Sequence, residues 1–281
     1  METNMKNIIL VPTDFTEVCE NAVNYGAETA QKLQYKLVLL HVINSETKKE
    51  LKKENLSKEA VIDKLRIISE NIIKKSGIDV EYISREGSIF EIIPDVAKEL
   101  GAGFIVMGTH GKIGIQHLTG SYAMKVVTSS PVPVIVVQKR ILPAEYKDIV
   151  LPITSEAGPW DKTMWAKYIS DKLGSTIHIY KVKDEPALND TIRVISGYFD
   201  EHGVKYVIKS ADKNGNFTKQ VIDYATSINS EMIMIMTAAN NNQLASFILG
   251  SYDEEILFNT SQIPVMCINP REVNWKKIIS Y

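Results

Sequence analysis

The sequence has 281 residues, 44% of them hydrophobic, with 32 Lys and Arg against 34 Asp and Glu for a formal charge of -2. That much apolar material fills the cores of two ordinary domains, while the near balance of charge leaves neither a basic footprint for nucleic acid nor an acidic tail. No run approaches the ~18 apolar residues of a membrane span, and METNMKNIILVPTD has no apolar core behind a positive region, so the expectation is a cytoplasmic protein bound to neither membrane nor nucleic acid.

In chain order, IILV (8–11) is short, apolar and β-branched, as a buried parallel strand is. Beyond Thr13-Asp14, the residues Val18, Ala22, Gly26, Ala30 and Leu33 recur at steps of three or four, which predicts a helix with one narrow apolar face of small residues. Asp14 and Glu17 also have the spacing of a capping-box variant at its start. KLVLLHV (36–42) reads as a second buried strand, with His41 a core residue at its end, and SETKKELKKENLSKEA (45–60) as the solvated start of one long second helix. VEYIS (80–84) is predicted to be a third buried strand, and Ile89, Ile92, Ile93, Val96, Ala97 and Leu100 mark the next helix. FIVMG (104–108) is a fourth strand, followed by glycines at 108, 111, 114 and 120, a helix through AMKVV, and a fifth strand in VPVIVV (132–137). Strands alternating with helices imply right-handed crossovers and a parallel sheet covered on both faces. Cys19 and Cys267 stand far apart without a Cys-x-x-Cys pair or a nearby His, so both are expected in the core rather than in a zinc site or disulfide.

The pattern then repeats. NIILVPTDFTE is echoed by DIVLPITSEAG (148–158), KLVLLHV by STIHIYKV, FIVMGTHG by MIMIMTAAN, GSYAMKVV by GSYDEEIL, and SSPVPVIVV by TSQIPVMCI. Five landmarks in one order are a tandem duplication, with the seam in QKRILPAEYKD and domains at 1–142 and 143–281. The expected fold class is therefore α/β, two tandem doubly wound domains, each with a five-stranded parallel sheet. The closing segment VNWKKIISY (273–281) is expected to be a short helix packed on its own domain.

In such a sheet the ligand crevice lies outside the carboxyl ends of the strands. Three loops qualify: Pro12-Thr13-Asp14, the stretch from His41 to Ser45, and the Gly-rich segment after Met107. Glycines there admit positive φ and let an anion approach bare backbone N–H groups, and Gly120-Ser121 opens a helix whose free N–H groups favour phosphate. The segment is not a Walker A loop, because Lys112 is followed by Ile113, and no Gly-x-Gly-x-x-Gly follows the first strand.

PTDFTE, LLHV and MGTHG…GS together resemble the universal stress protein family, in a tandem of two family domains that covers nearly the whole chain. In that family many members bind ATP through Gly-x2-Gly-x9-Gly-(Ser/Thr), while others lack the pattern and do not. The resemblance implies that the Val42 backbone reads adenine and that Pro12, Thr13 and Asp14 line the nucleoside pocket. It places Met107, Gly108, His110 and Gly111 beside the ribose and phosphates, and Gly120, Ser121 and Tyr122 on the phosphates. It further implies an adenine nucleotide ligand, ATP with or without Mg, or ADP or AMP. Only eight residues separate Gly111 from Gly120, one fewer than in the family pattern. In the second copy Ile153-Thr154-Ser155 align with Pro12-Thr13-Asp14, and Thr237 and Asn240 align with Gly108 and Gly111. That site is expected to be degenerate, although Gly250-Ser251 persist.

No spacing of paired carboxylates or of nucleophile and base stands out, so an enzyme is not expected; the resemblance implies at most weak ATP hydrolysis. Asp14 is compatible with a loop or capping role, and His117 with plain exposure. The fifth strands are apolar edges that invite pairing. In the family they pair between domains, so a tandem chain forms an internal pseudo-dimer, with a homodimer through other surfaces left open. Two readings of function follow: a nucleotide-binding stress-response protein acting on an unidentified protein partner, or a nucleotide-independent scaffold or chaperone-like protein with the same fold.

Overall fold

The structure, a computed structural model, describes residues 6–109, 119–141, 143–154, 160–182, 186–212, 215–237 and 251–270. The first half runs β1 (Ile8–Pro12), α1 (Glu17–Leu33), β2 (Lys36–Ile43), α2 (Ser45–Lys53), α3 (Glu59–Ser76), β3 (Val80–Glu86), α4 (Ile89–Leu100), β4 (Phe104–Gly108), α5 (Thr119–Ser129) and β5 (Val134–Val137). The second half runs β6 (Asp148–Ile153), α6 (Trp160–Leu173), β7 (Thr176–Lys181), α7 (Pro186–Glu201), β8 (Tyr206–Ser210), α8 (Phe217–Ser227), β9 (Met232–Met236), α9 (Ser251–Leu257) and β10 (Val265–Ile268).

Both halves contribute to one ten-stranded sheet in the order β3-β2-β1-β4-β5-β10-β9-β6-β7-β8. Each half is a doubly wound parallel α/β unit, as the alternating pattern predicts, with the strand order turning between β1 and β4. The apolar fifth strands meet each other: β5 and β10 pair antiparallel, Val136 opposite Val265 and Ile135 opposite Met266. What reads locally as an edge strand is thus the centre of the sheet, its backbone groups satisfied within the chain.

Three local expectations change. VEYIS is not a buried strand: β3 is the outer edge of the sheet, and only its Val80 is buried. Its β-branched residues satisfy strand propensity, but nothing lies beyond them. The charged stretch after β2 forms two helices instead of one. α2 buries none of its residues, so packing does not prolong it, and Asn55 takes a left-handed φ of 53° in the break before α3. Finally, α1 buries eleven of its seventeen residues, far more than one narrow face. Its sheet-facing side closes down on β1, where a Cβ on Gly26 would lie 2.7 Å from Val11 Cγ2. Its other side meets the second half, with Tyr25 edge-on to Tyr146 at 5.9 Å between ring centroids, and the segment after β5, with Asn21 Nδ2 donating to Gln138 O at 2.6 Å.

Hydrogen bonding also corrects the alignment of the two halves. Thr109 N–H donates to Val137 O at 3.1 Å and Thr237 N–H to Ile268 O at 2.9 Å, while Lys36 N–H donates to Asn7 O and Thr176 N–H to Lys147 O. Thr237 therefore matches Thr109, and Met236 matches Gly108. On the other strand Pro152, Ile153 and Thr154 match Pro12, Thr13 and Asp14. Both second-half strands sit one residue away from the alignment read from sequence, because that alignment followed the ends of the apolar runs, whereas hydrogen-bonded pairing with the neighbouring strand sets the register. The acidic residue is lost from the second half in either alignment. Both cysteines are buried and unbridged, and the 273–281 segment lies outside the described residues.

Candidate functional site

The cleft in the first half opens at the carboxyl ends of β1, β2 and β4. Strand β1 delivers Pro12, Thr13 and Asp14 to it, β2 delivers Val42, and β4 delivers Met107 and Gly108. Neighbouring parallel strands end together, so residues far apart in sequence line one wall. Among the other predicted residues, His110 and Gly111 lie outside the described residues, as do Lys112 and His117. Gly120, Ser121 and Tyr122 fall in the first turn of α5.

The turn after β1 is built by short side chains bonding to their own backbone. Thr13 Oγ1 accepts from Phe15 N–H at 3.1 Å, and Asp14 Oδ1 accepts from Thr16 N–H at 3.0 Å and from the Thr16 hydroxyl at 2.6 Å. These are Ser/Thr- and Asx-type turns. They replace the expected capping box: α1 starts at Glu17, and its N-cap Thr16 makes no side-chain cap. Phe15 is held at a φ of 65°, a left-handed conformation unusual for an aromatic residue, and stacks on His41 with centroids 4.6 Å apart and planes 11° from parallel.

His41 is 3% exposed and fastens both sides of the cleft. Its Nδ1–H donates to Thr13 O at 2.8 Å, and its Nε2 pairs with the Thr47 hydroxyl at 3.2 Å. Its core assignment holds, with the added result that it joins the Asp14 turn to α2. Asn44 caps α2, accepting from Glu46 N–H at 3.0 Å and Thr47 N–H at 2.9 Å. The cap starts α2 at the mouth of the cleft, so Glu46, Thr47 and Glu50 line it. Sequence reading missed these residues within a charged run, although the Asn44-Ser45 step after a strand was the available signal.

Cys19, in the first turn of α1, lines the same cleft. Burial, with the adjacent Asp14 carboxylate, pushes its thiol up to about 12. The charged residues among the described lining are Asp14, Glu46 and Glu50. Such a wall accepts hydrogen bonds from hydroxyl and amino donors and repels bare phosphate. Apolar area comes from Leu40, Val42, Ile89, Ile93 and Met107, a surface suited to a flat ring. Among the described residues no cluster of His, Cys, Asp and Glu is arranged to hold a metal ion, and no helix is long and apolar enough to cross a membrane.

Gly108 has a role different from the one its loop implies. A Cβ there would stand 2.8 Å from Val18 Cγ1 and 2.9 Å from Val18 O, so the glycine lets the first turn of α1 cross the end of β4. The second half carries a side chain at that point. Met236 stands at the matching strand position.

This architecture, two doubly wound parallel halves with a cleft above one switch point, defines a class of small-ligand α/β proteins. The universal stress protein family profile matches residues 5–138. A universal stress protein of Methanocaldococcus jannaschii is 30% identical over 156 residues, covering 47% of this chain and 94% of the relative. One from Synechocystis sp. is 29% identical over 136 residues, covering 47% of this chain and 86% of its own length. The crystal structure of a universal stress protein from Archaeoglobus fulgidus matches 94% of this chain and 98% of its own with a TM-score of 0.74 at 21% identity. The protein belongs to the universal stress protein family, and its tandem layout follows from a length about twice that of the single-domain relatives.

Proposed function

We propose that the first domain, residues 1–142, binds an adenine nucleotide, with ATP as the first ligand to test, and that occupancy regulates an interaction with a protein partner in the stress response. The observation that carries this reading is the convergence of Pro12, Thr13, Asp14, Val42, Met107 and Gly108 on one cleft at the carboxyl ends of three parallel strands. In it, the Val42 backbone reads the base, Asp14 accepts from the sugar hydroxyls, Met107 and Gly108 line the ribose side, and the phosphates lie away from the three carboxylates at the start of α5. There Gly120, Ser121 and Tyr122, with His110 and Gly111, receive them on backbone N–H groups, and any Mg enters with the phosphates. The second domain, 143–281, keeps the fold and has Thr154 for Asp14 and Met236 for Gly108, which supports a degenerate site.

The acidic lining favours a second reading, a scaffold that works without nucleotide, since no Lys or Arg stands among the described lining residues. One experiment separates the two. The protein is purified, denatured, and the released small molecules are identified by mass spectrometry, with adenosine and ATP titrations on wild type and Asp14→Ala. Release or binding of an adenine nucleotide that Asp14→Ala loses supports the first reading. Wild-type protein that neither carries nor binds one at millimolar concentration establishes the scaffold.

A further inference from the structure

Helix α5, whose first turn holds Gly120 and Ser121, ends against the other half of the molecule. A helix terminus leaves its last carbonyls without intrahelical partners. Commonly a left-handed glycine closes that end, but the carbonyls of Val127, Thr128 and Ser130 instead share one amide from β10's end: Asn269 Nδ2 donates to them at 2.8, 3.3 and 2.8 Å. The three acceptors define which way that amide faces. Its Oδ1 is engaged on the opposite side by the Thr237 hydroxyl, and Thr237 closes β9 in the second half. One side chain of the second half thus clamps the helix that begins at the first half's site.

The reciprocal contact is much weaker. Gln138 follows β5 as Asn269 follows β10, yet its Nε2 donates to a single carbonyl, Asn259 O, at 3.1 Å. Asn259 otherwise closes the end of α9 by itself, through Nδ2 to Ile256 O and Ile263 O and through Oδ1 from Ile263 N–H. Arg140 also reaches the segment beyond α9, its N–H donating to Gln262 Oε1 at 2.7 Å and its Nη1 to Ser261 O at 3.1 Å, but among the described residues no first-half side chain gathers several carbonyls at the α9 end as Asn269 does at α5.

We infer that Asn269 is a positioning residue for the first-half site: it fixes α5 from its carboxyl end and thereby sets the first-turn N–H groups that meet the ligand's phosphates. This rests on the nucleotide reading above, and it assigns the degenerate half a concrete task. α5 spans eleven residues, about 16 Å of helix, so a tilt allowed at one end displaces the other.

The test compares Asn269→Ala and Asn269→Asp with Gln138→Ala, which removes the reciprocal contact of the same interface. Each protein is titrated with ATP and with adenosine, and hydrogen exchange of the α5 amides is followed without ligand. Loss of a hydrogen-bonded clamp is expected to weaken ATP by roughly 3- to 10-fold, more for the carboxylate of Asn269→Asp facing three carbonyls, with adenosine affinity unchanged. The hydrogen-bonded amides of α5 beyond its first turn exchange faster in both Asn269 variants and not in Gln138→Ala. Equal loss for ATP and adenosine, equal effects of Gln138→Ala, or unchanged α5 exchange overturns the inference. If wild type binds neither ligand, the nucleotide reading fails on its own, and the exchange experiment still decides whether Asn269 controls α5.

Discussion

Gly108→Ala offers a quantitative probe of how the site is held. The added methyl would meet Val18 Cγ1 at 2.8 Å, Val18 O at 2.9 Å and Val18 C at 3.1 Å, against the 3.4–4 Å of ordinary contact. Two of these atoms are backbone, and Val18 is 4% exposed, so no rotamer change relieves the overlap. The first turn of α1 or the end of β4 must move by about half an ångström, and overpacking of this kind costs about 1–3 kcal/mol. Gly26→Ala is the informative comparison, since its methyl meets Val11 Cγ2 at 2.7 Å but recovers up to ~1 kcal/mol of helix propensity. Gly108→Ala is therefore expected to be the more destabilising. Urea unfolding followed by the fluorescence of Trp165, 1% exposed, gives both values. Because Asp14 precedes the displaced turn, Gly108→Ala should also weaken adenosine. A Gly108→Ala protein within ~0.5 kcal/mol of wild type, or one less affected than Gly26→Ala, would refute the packing argument.

Two further consequences concern ionisation. Glu86 receives Lys48 at 2.8 Å and also Lys58, and these partners hold its carboxyl down at about 2. A depressed carboxyl stabilises the fold above its ordinary value near 4.5, and that contribution is lost as pH falls from there towards 2. Since Lys48 lies on α2, hydrogen exchange should show α2 loosening across that window, and in Glu86→Gln already at neutral pH; a Glu86 titration midpoint near 4.5 by NMR would contradict it. At Cys19, the raised thiol predicts negligible alkylation at pH 8 in folded protein, read by peptide mapping, with faster labelling in Asp14→Asn. Labelling at the rate of a free thiol without unfolding would show that the buried pairing with Asp14 is absent.

Much of the site was legible because it is local. Pro12, Thr13, Asp14 and Val42 follow apolar runs whose strand character depends on short-range pattern, and placing a ligand beyond strand ends needs only the knowledge that the strands are parallel. Glu46 and Glu50 were not legible, since a charged run looks the same on any exposed helix. Only the Asn44 cap and the His41 link bring α2 to the cleft. The role of Gly108 was partly legible: a glycine after a strand marks a close approach to bare backbone, but what approaches is the first turn of α1.

By itself the sequence determined the alternation of strands and helices through periodicity, the duplication through landmarks that recur in one order, and the family through the resemblance of its motifs. The meeting of β5 and β10 follows from the family resemblance, whereas only the tertiary structure decided the one-residue register between halves, the exposed position of β3 and the grip of Asn269 on α5. Each depends on which backbone groups remain unsatisfied once neighbouring elements are packed. That is a property of pairs of segments from about 30 to about 140 residues apart, which no local window contains.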